Sequence, residues 1–143
     1  MEGLAFDSDG FIELRIGTDL HVSSGVTPGQ EALVLAAEVR ANADRIPPTL
    51  LRRILITNSR LATRNGPSFA IVPGVRALLL QQRIPIAELD YPQFETLWLE
   101  FLETHGKAVS ALAALMPDEK QKSETGATAE PSLHDQLGGF VRV

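Results

Sequence analysis

The chain contains no cysteine, which excludes disulfides, thiolate metal sites and a thiol nucleophile. That absence fits a reducing compartment. Aromatic residues make up only 6 %, and the segment from Arg40 to Arg83 has no lysine and a single aromatic, Phe69. No apolar run approaches the roughly 20 residues of a membrane span; the stretch from Val75 to Leu80 is already broken by Arg76. Residues Met1 to Asp7 show neither a basic n-region nor an apolar h-region, so no secretory signal and a cytoplasmic location are expected. Glycine spacing matches neither a phosphate loop nor a dinucleotide fingerprint.

What is present is enough apolar material for a core: 44 % of 143 residues, the size of one domain. Charge is segregated along the chain. From Arg40 to Arg83 eight arginines face one acid, Asp44, a net of +7. The segment before carries seven acids and Arg15, and the segment after carries ten acids and four bases, a net of −6 each. A basic middle therefore separates acidic ends, an arrangement suited to head-to-tail contact.

Ile12, Leu14 and Ile16 alternate with Glu13 and Arg15, and Leu20 and Val22 resume the alternation after Gly17-Thr18-Asp19. This is the period of a β-hairpin with one buried face. Thr27-Pro28-Gly29-Gln30 has the form of a capping box with proline at the first helical position, and predicts a helix from about Pro28 to Asp44 with Leu33, Leu35, Ala36, Ala37 and Val39 on a broad buried arc. Ile46-Pro47-Pro48 ends it, and a second helix is expected from Thr49 to about Thr63, closed by Asn65-Gly66-Pro67. Phe69 to Val72 reads as a short strand and Val75 to Gln82 as a further helix stopped before Pro85. From the capping Asp90, the spacing of Phe94, Leu97, Trp98, Phe101, Leu102, Val109, Leu112 and Leu115 marks the main core helix, with Gly106 as a point where it can split.

Residues 118–132 hold no large apolar side chain, the composition of a flexible polar tether. Residues 133–143 turn apolar again at Leu133, Leu137, Phe140 and Val141, as a docking arm would. The expected architecture is thus α+β and predominantly helical: a globular domain over 1–117, with a short N-terminal hairpin packed on three to four helices and one further short strand, followed by tether and arm.

The chemistry-bearing residues do not assemble into a motif. Asp7-Ser8-Asp9-Gly10 resembles the middle of a calcium loop, but in that register Ala5 and Ile16 stand where the first ligand and the bidentate carboxylate belong, so the segment reads as a turn into the hairpin. His21, His105 and His134 lie far apart without metal-type spacing. Ser23-Ser24-Gly25 lacks the context of a nucleophile elbow. Glu95, Glu100 and Glu103 read as the solvated face of an amphipathic helix. No metal, cofactor or catalytic set is expected.

One functional pattern survives. At about 100° per residue, Arg45, Arg52, Arg53, Arg60 and Arg64 gather on one side of the second helix, with Leu50, Leu51, Ile54, Leu55 and Leu61 opposite. Such a face can pair with acids in the same chain or a second copy, receive an acidic protein, or grip phosphates. The leading expectation is a non-enzymatic interaction or assembly protein, an accessory, connector or chaperone-like subunit that binds itself and a protein partner, with no membrane contact. The alternative is a small nucleic-acid-binding regulator using residues 49–64, although stacking aromatics are almost missing there. The order of a hairpin followed by the Thr27-Pro28-Gly29-Gln30 helix start resembles small accessory and connector proteins of tailed bacteriophages, which implies a phage or secretion setting.

Overall fold

The computed structural model describes residues 8, 10–72 and 74–116. Its elements are β1 (Phe11–Ile16), β2 (Leu20–Val26), β3 (Ala32–Ala41), a 3-10 turn (Ala43–Arg45), α1 (Pro48–Ala62), β4 (Ser68–Ile71), β5 (Ala77–Pro85) and α2 (Tyr91–Leu115). The strands form a single antiparallel sheet of five in the order β1-β2-β3-β5-β4. The predominantly helical architecture with three to four helices is therefore corrected to a sheet with two α-helices among the described residues.

The hairpin, α1, β4 and α2 stand where the sequence places them, while the two expected helices over 28–44 and 75–82 are β3 and β5. The physical cause is common to both. They are central strands buried on both faces, so apolar side chains follow one another without the alternation that betrays a one-sided strand. On β3, Leu35, Ala37 and Val39 join the main core with Phe101, whereas Ala36 joins Leu79 and Ala77 in a second cluster on the opposite face. The loop residues Val72 and Val75 cover that second cluster.

The supposed capping box is a tight turn. Gln30 N–H donates to the Thr27 carbonyl (2.8 Å), Thr27 N–H donates to the Ala32 carbonyl (2.9 Å), and the Thr27 hydroxyl accepts from Ala32 N–H (3.1 Å). Gly29 takes φ +89° behind Pro28, the sequence chemistry of a type II turn. The same Thr-Pro-Gly-Gln residues thus reverse a strand instead of starting a helix.

Two true helices cover the face of Leu35 and Leu80. In α1, Pro48 occupies the first turn, where a missing N–H costs nothing. In α2, Asp90 accepts from Gln93 N–H (2.8 Å) while Gln93 Oε1 accepts from Asp90 N–H (3.3 Å), a complete capping box. The helix runs unbroken through the exposed Gly106. It lays Phe101 and Leu112 into the core and is pinned where β3 changes register between Glu38 and Arg40. There the buried His105 donates from Nε2 to the Glu38 carbonyl at 2.7 Å. Arg40 donates to the Met116 carbonyl (3.4 Å) at the far end of α2.

Asn58 locks α1 to the sheet. Its amide nitrogen donates to the Phe69 carbonyl (2.8 Å) and its Oδ1 accepts from Phe69 N–H (2.7 Å), so the side chain pairs with β4 as a neighbouring strand would. Asn58→Ala loses both bonds and strands two part-buried backbone groups. It should lower stability by about 1–3 kcal/mol, read as a fall in the urea midpoint with the slope unchanged.

Candidate partner-binding surface

The solvent side of α1 combines apolar and basic residues. Arg52, Arg53 and Arg60 are exposed along it, and Leu55 (66 % exposed) and Ile56 (49 %) stand between them. The expectation that Leu55 lies on the buried side is corrected: Leu50, Leu51 and Ile54 pack on the core, and Leu55 does not. The signal was present in Ile54-Leu55-Ile56, because three consecutive residues at about 100° intervals cannot all face one core. Ile71, the last residue of β4, is 47 % exposed.

The other two arginines are not on the helix. Arg45 ends the 3-10 turn before the double proline, and Arg64 lies in the turn that follows α1. Arg76 and Arg83 make loose exposed pairs with Asp44 (3.8 Å) and Glu31 (3.9 Å). Arg52, Arg53, Arg60 and Arg64 make no salt bridge among the described residues. Phe69, the aromatic of the basic segment, is packed against the main core.

The other singled-out residues stay apart. Exposed His21 approaches Glu13 (3.5 Å) on the first hairpin, and His105 is the buried pin described above. Glu95, Glu100 and Glu103 are exposed on α2; Glu103 pairs with Lys107 one turn on, whose hydrogen bond and charge hold its carboxyl below the ordinary value. Gly10, at φ +82°, makes the turn into the hairpin. Asp7, Asp9, His134, the tether 118–132 and the arm residues Leu133, Leu137, Phe140 and Val141 lie outside the described residues.

Backbone groups left open at the sheet borders are a feature the sequence pattern did not single out. Val26 N–H donates to the Gly10 carbonyl (3.4 Å). By the alternation of an antiparallel ladder, Ile12, Leu14 and Ile16 face β2, and Glu13 and Arg15 direct their N–H and C=O outward. At the opposite border, β4 begins at Ser68 beside Gln81, so β5 continues from Gln82 to Pro85 with β3 on one side and no strand on the other. Asn58 fixes the phase here: Phe69 faces outward, so Gln81 faces β4 and Arg83 directs its N–H and C=O to the vacant side.

That vacant side is a groove of about 860 Å³ between the end of α1 (Ala62, Gly66), β5 and Leu97 of α2. Its wall includes Gln82, 3 % exposed, whose Oε1 has no hydrogen-bond partner among the described residues. A buried acceptor without a donor costs about 1–3 kcal/mol. Gln82→Leu should therefore raise the melting temperature of the full chain, measured by calorimetry.

Comparison with known proteins places this arrangement. The model of the Tir chaperone protein (CesT) family matches residues 1–107. Among solved structures, a chain of the HopA1–SchA chaperone–effector complex is 19 % identical with a TM-score of 0.67, over 77 % of this chain and 83 % of that one. A chain of the ExsC–ExsE complex is 20 % identical with a TM-score of 0.67, over 78 % and 83 %. A chain of the heterodimeric ExoU–SpcU complex from the type III secretion system of Pseudomonas aeruginosa is 15 % identical with a TM-score of 0.60, over 75 % and 86 %. These likenesses establish the fold. No curated protein matches the chain. The bacteriophage resemblance is corrected as well, since the helix that carried it is β3 and the family matched is a chaperone family.

Proposed function

The chain belongs to the Tir chaperone protein (CesT) family, and from that membership we propose that it is a non-enzymatic cytoplasmic chaperone that binds a protein effector before its export by a type III secretion system. The observation that carries the reading is the family match across residues 1–107. One physical feature supports it. An extended client segment can add to a sheet wherever backbone donors and acceptors are open, and this sheet has such places at Glu13 and Arg15 and again at Arg83. Among the described residues no helix is long and apolar enough to cross a membrane.

Self-association has its own surface. Leu55 and Ile56 are exposed apolar residues of α1, a helix that also carries the exposed Arg52, Arg53 and Arg60, and α1 is not a border of the sheet, so a second copy seated on it leaves the client sites free. Replacing Leu55 and Ile56 together by aspartate places two charges where burial is required. It should convert a dimer to single chains of 15.5 kDa in sedimentation equilibrium, while the unfolding free energy of the single chain changes by less than about 1 kcal/mol.

The direct test is the secretome. Deleting the gene should remove one or a few proteins from the culture medium, with restoration by the wild-type gene and a stable complex between the restored protein and this chain. An unchanged secretome under secreting conditions refutes the effector-chaperone reading.

A further inference from the structure

Gln82 is a polar residue in an apolar row. On β5 it stands between Leu80 and Ile84, and alternation turns all three to the face covered by the helices, where Leu80 and Ile84 belong to the main core. It is 3 % exposed, and its Oε1 has no hydrogen-bond partner among the described residues. An apolar side chain of similar size would fill the position without leaving an acceptor unpaired, so the fold by itself gives no reason for an amide here. That acceptor lines the groove of about 860 Å³ beside the free end of β5. β4 covers β5 only as far as Gln81, so Arg83 is the next residue whose N–H and C=O face the vacant side. An extended peptide meets both demands at once, because its backbone pairs with Arg83 while its alternate side chains enter the groove.

We propose that Gln82 selects the client segment that adds to β5. It accepts a hydrogen bond from an uncharged donor, an amide or a hydroxyl, on the residue opposite it, and it rejects segments that place a carboxylate or an apolar side chain there. The inference rests on the chaperone reading for the identity of the partner, a protein effector that offers an extended segment. The complementarity is electrostatic. In a buried wall the negative end of the amide dipole attracts a polarised hydrogen and repels a carboxylate, and an ammonium or guanidinium group would lose its hydration without meeting a counter-charge.

Register turns this into a pattern of side chains. A segment that continues the line of β4 runs antiparallel to β5, as β4 does. Its residue opposite Arg83 exchanges both backbone hydrogen bonds, and that side chain lies on the other face, beside the loose exposed pair of Arg83 and Glu31. The residue before it meets Ile84, and the residue after it meets Gln82. Leu97 of α2 adds to the apolar wall of the groove. The segment is therefore read as an apolar residue, then any residue, then a donor. Pro85 has no N–H, so the ladder is complete only at Arg83. Two backbone hydrogen bonds hold a strand weakly, and the side chains decide which segments stay.

The test is a titration of the isotopically labelled full chain with the blocked peptide acetyl-Thr-Val-Thr-Asn-Thr-amide and its counterparts carrying Asp or Leu in place of the Asn. These three side chains are nearly equal in size and differ in what they donate. The Arg83 backbone amide is followed by NMR to about 5 mM peptide, which reads dissociation constants near 1 mM. The Asn peptide should bind at least about tenfold more tightly than either of the others. In Gln82→Leu, which should melt higher than the original chain, the Leu peptide should become the tightest of the three. A Gln82 with a purely structural role gives no such exchange of preference. The same order of affinities in the original chain and in Gln82→Leu would overturn the proposal, as would binding that leaves Arg83 unshifted, or no binding by any of the three. The peptides are not effectors, so a failure here leaves the chaperone reading standing, and an unchanged secretome leaves the peptide preference standing.

Discussion

β3 and β5 exchange nine register pairs, from Ala32–Pro85 to Ala41–Ala77, and nearly every other contact is arranged around that double strand. Leu35, Ala36, Ala37, Leu79 and Leu80 are fully buried, so the pair is desolvated on both faces. At about 25 cal/mol per Å² of apolar surface, such a pair is where most of the burial energy of a small domain has to come from. The two helices cover one face, the Val72–Val75 loop covers part of the other, and β1-β2 and β4 flank the borders. The bulge after Glu38 is the place where this regularity is interrupted, and His105 takes the carbonyl there.

The same burial explains what the sequence concealed. The hairpin is legible because one of its faces is wet, so Glu13 and Arg15 alternate with Leu14 and Ile16. The helix α2 is legible because Asp90 and Gln93 mark its start and apolar residues recur every third or fourth position. Leu33 to Ala37 and Ala77 to Leu80 hold no such contrast: when both faces are dry, the period of the backbone leaves no mark on the hydrophobicity, and a strand and a buried helix read alike. The turn at Thr27-Pro28-Gly29-Gln30 compounded this, because the residues that cap a helix also satisfy a tight turn. Leu55 and the groove at Gln82 were hidden for a different reason. Whether an apolar residue is covered, and whether a strand outlasts its neighbour, are properties of the assembled sheet.

The arginines show how charge serves this architecture. α1 joins the sheet through apolar residues and one amide, Asn58, leaving its guanidinium groups directed at solvent without carboxylate partners among the described residues. On the same helix as the exposed Leu55 and Ile56, these like charges repel one another and oppose non-specific association. The acidic balance of the chain on either side of residues 40–83 supplies the opposite sign within the same molecule, a segregation of the kind that steers encounters between charged surfaces.

The Asn58 clamp has a consequence for growth. A sheet with two bare borders is a monomer for a fibre, since one copy's first strand can seat on another's last and the operation repeats without closure. Here the terminal strand is four residues long and a side-chain amide already occupies its outward backbone groups at Phe69. Head-to-tail stacking through Phe69 is thereby blocked, while Glu13 and Arg15 on β1 and the Gln82–Pro85 stretch of β5 stay open. A single asparagine thus removes one of the places where a second copy could add its strand.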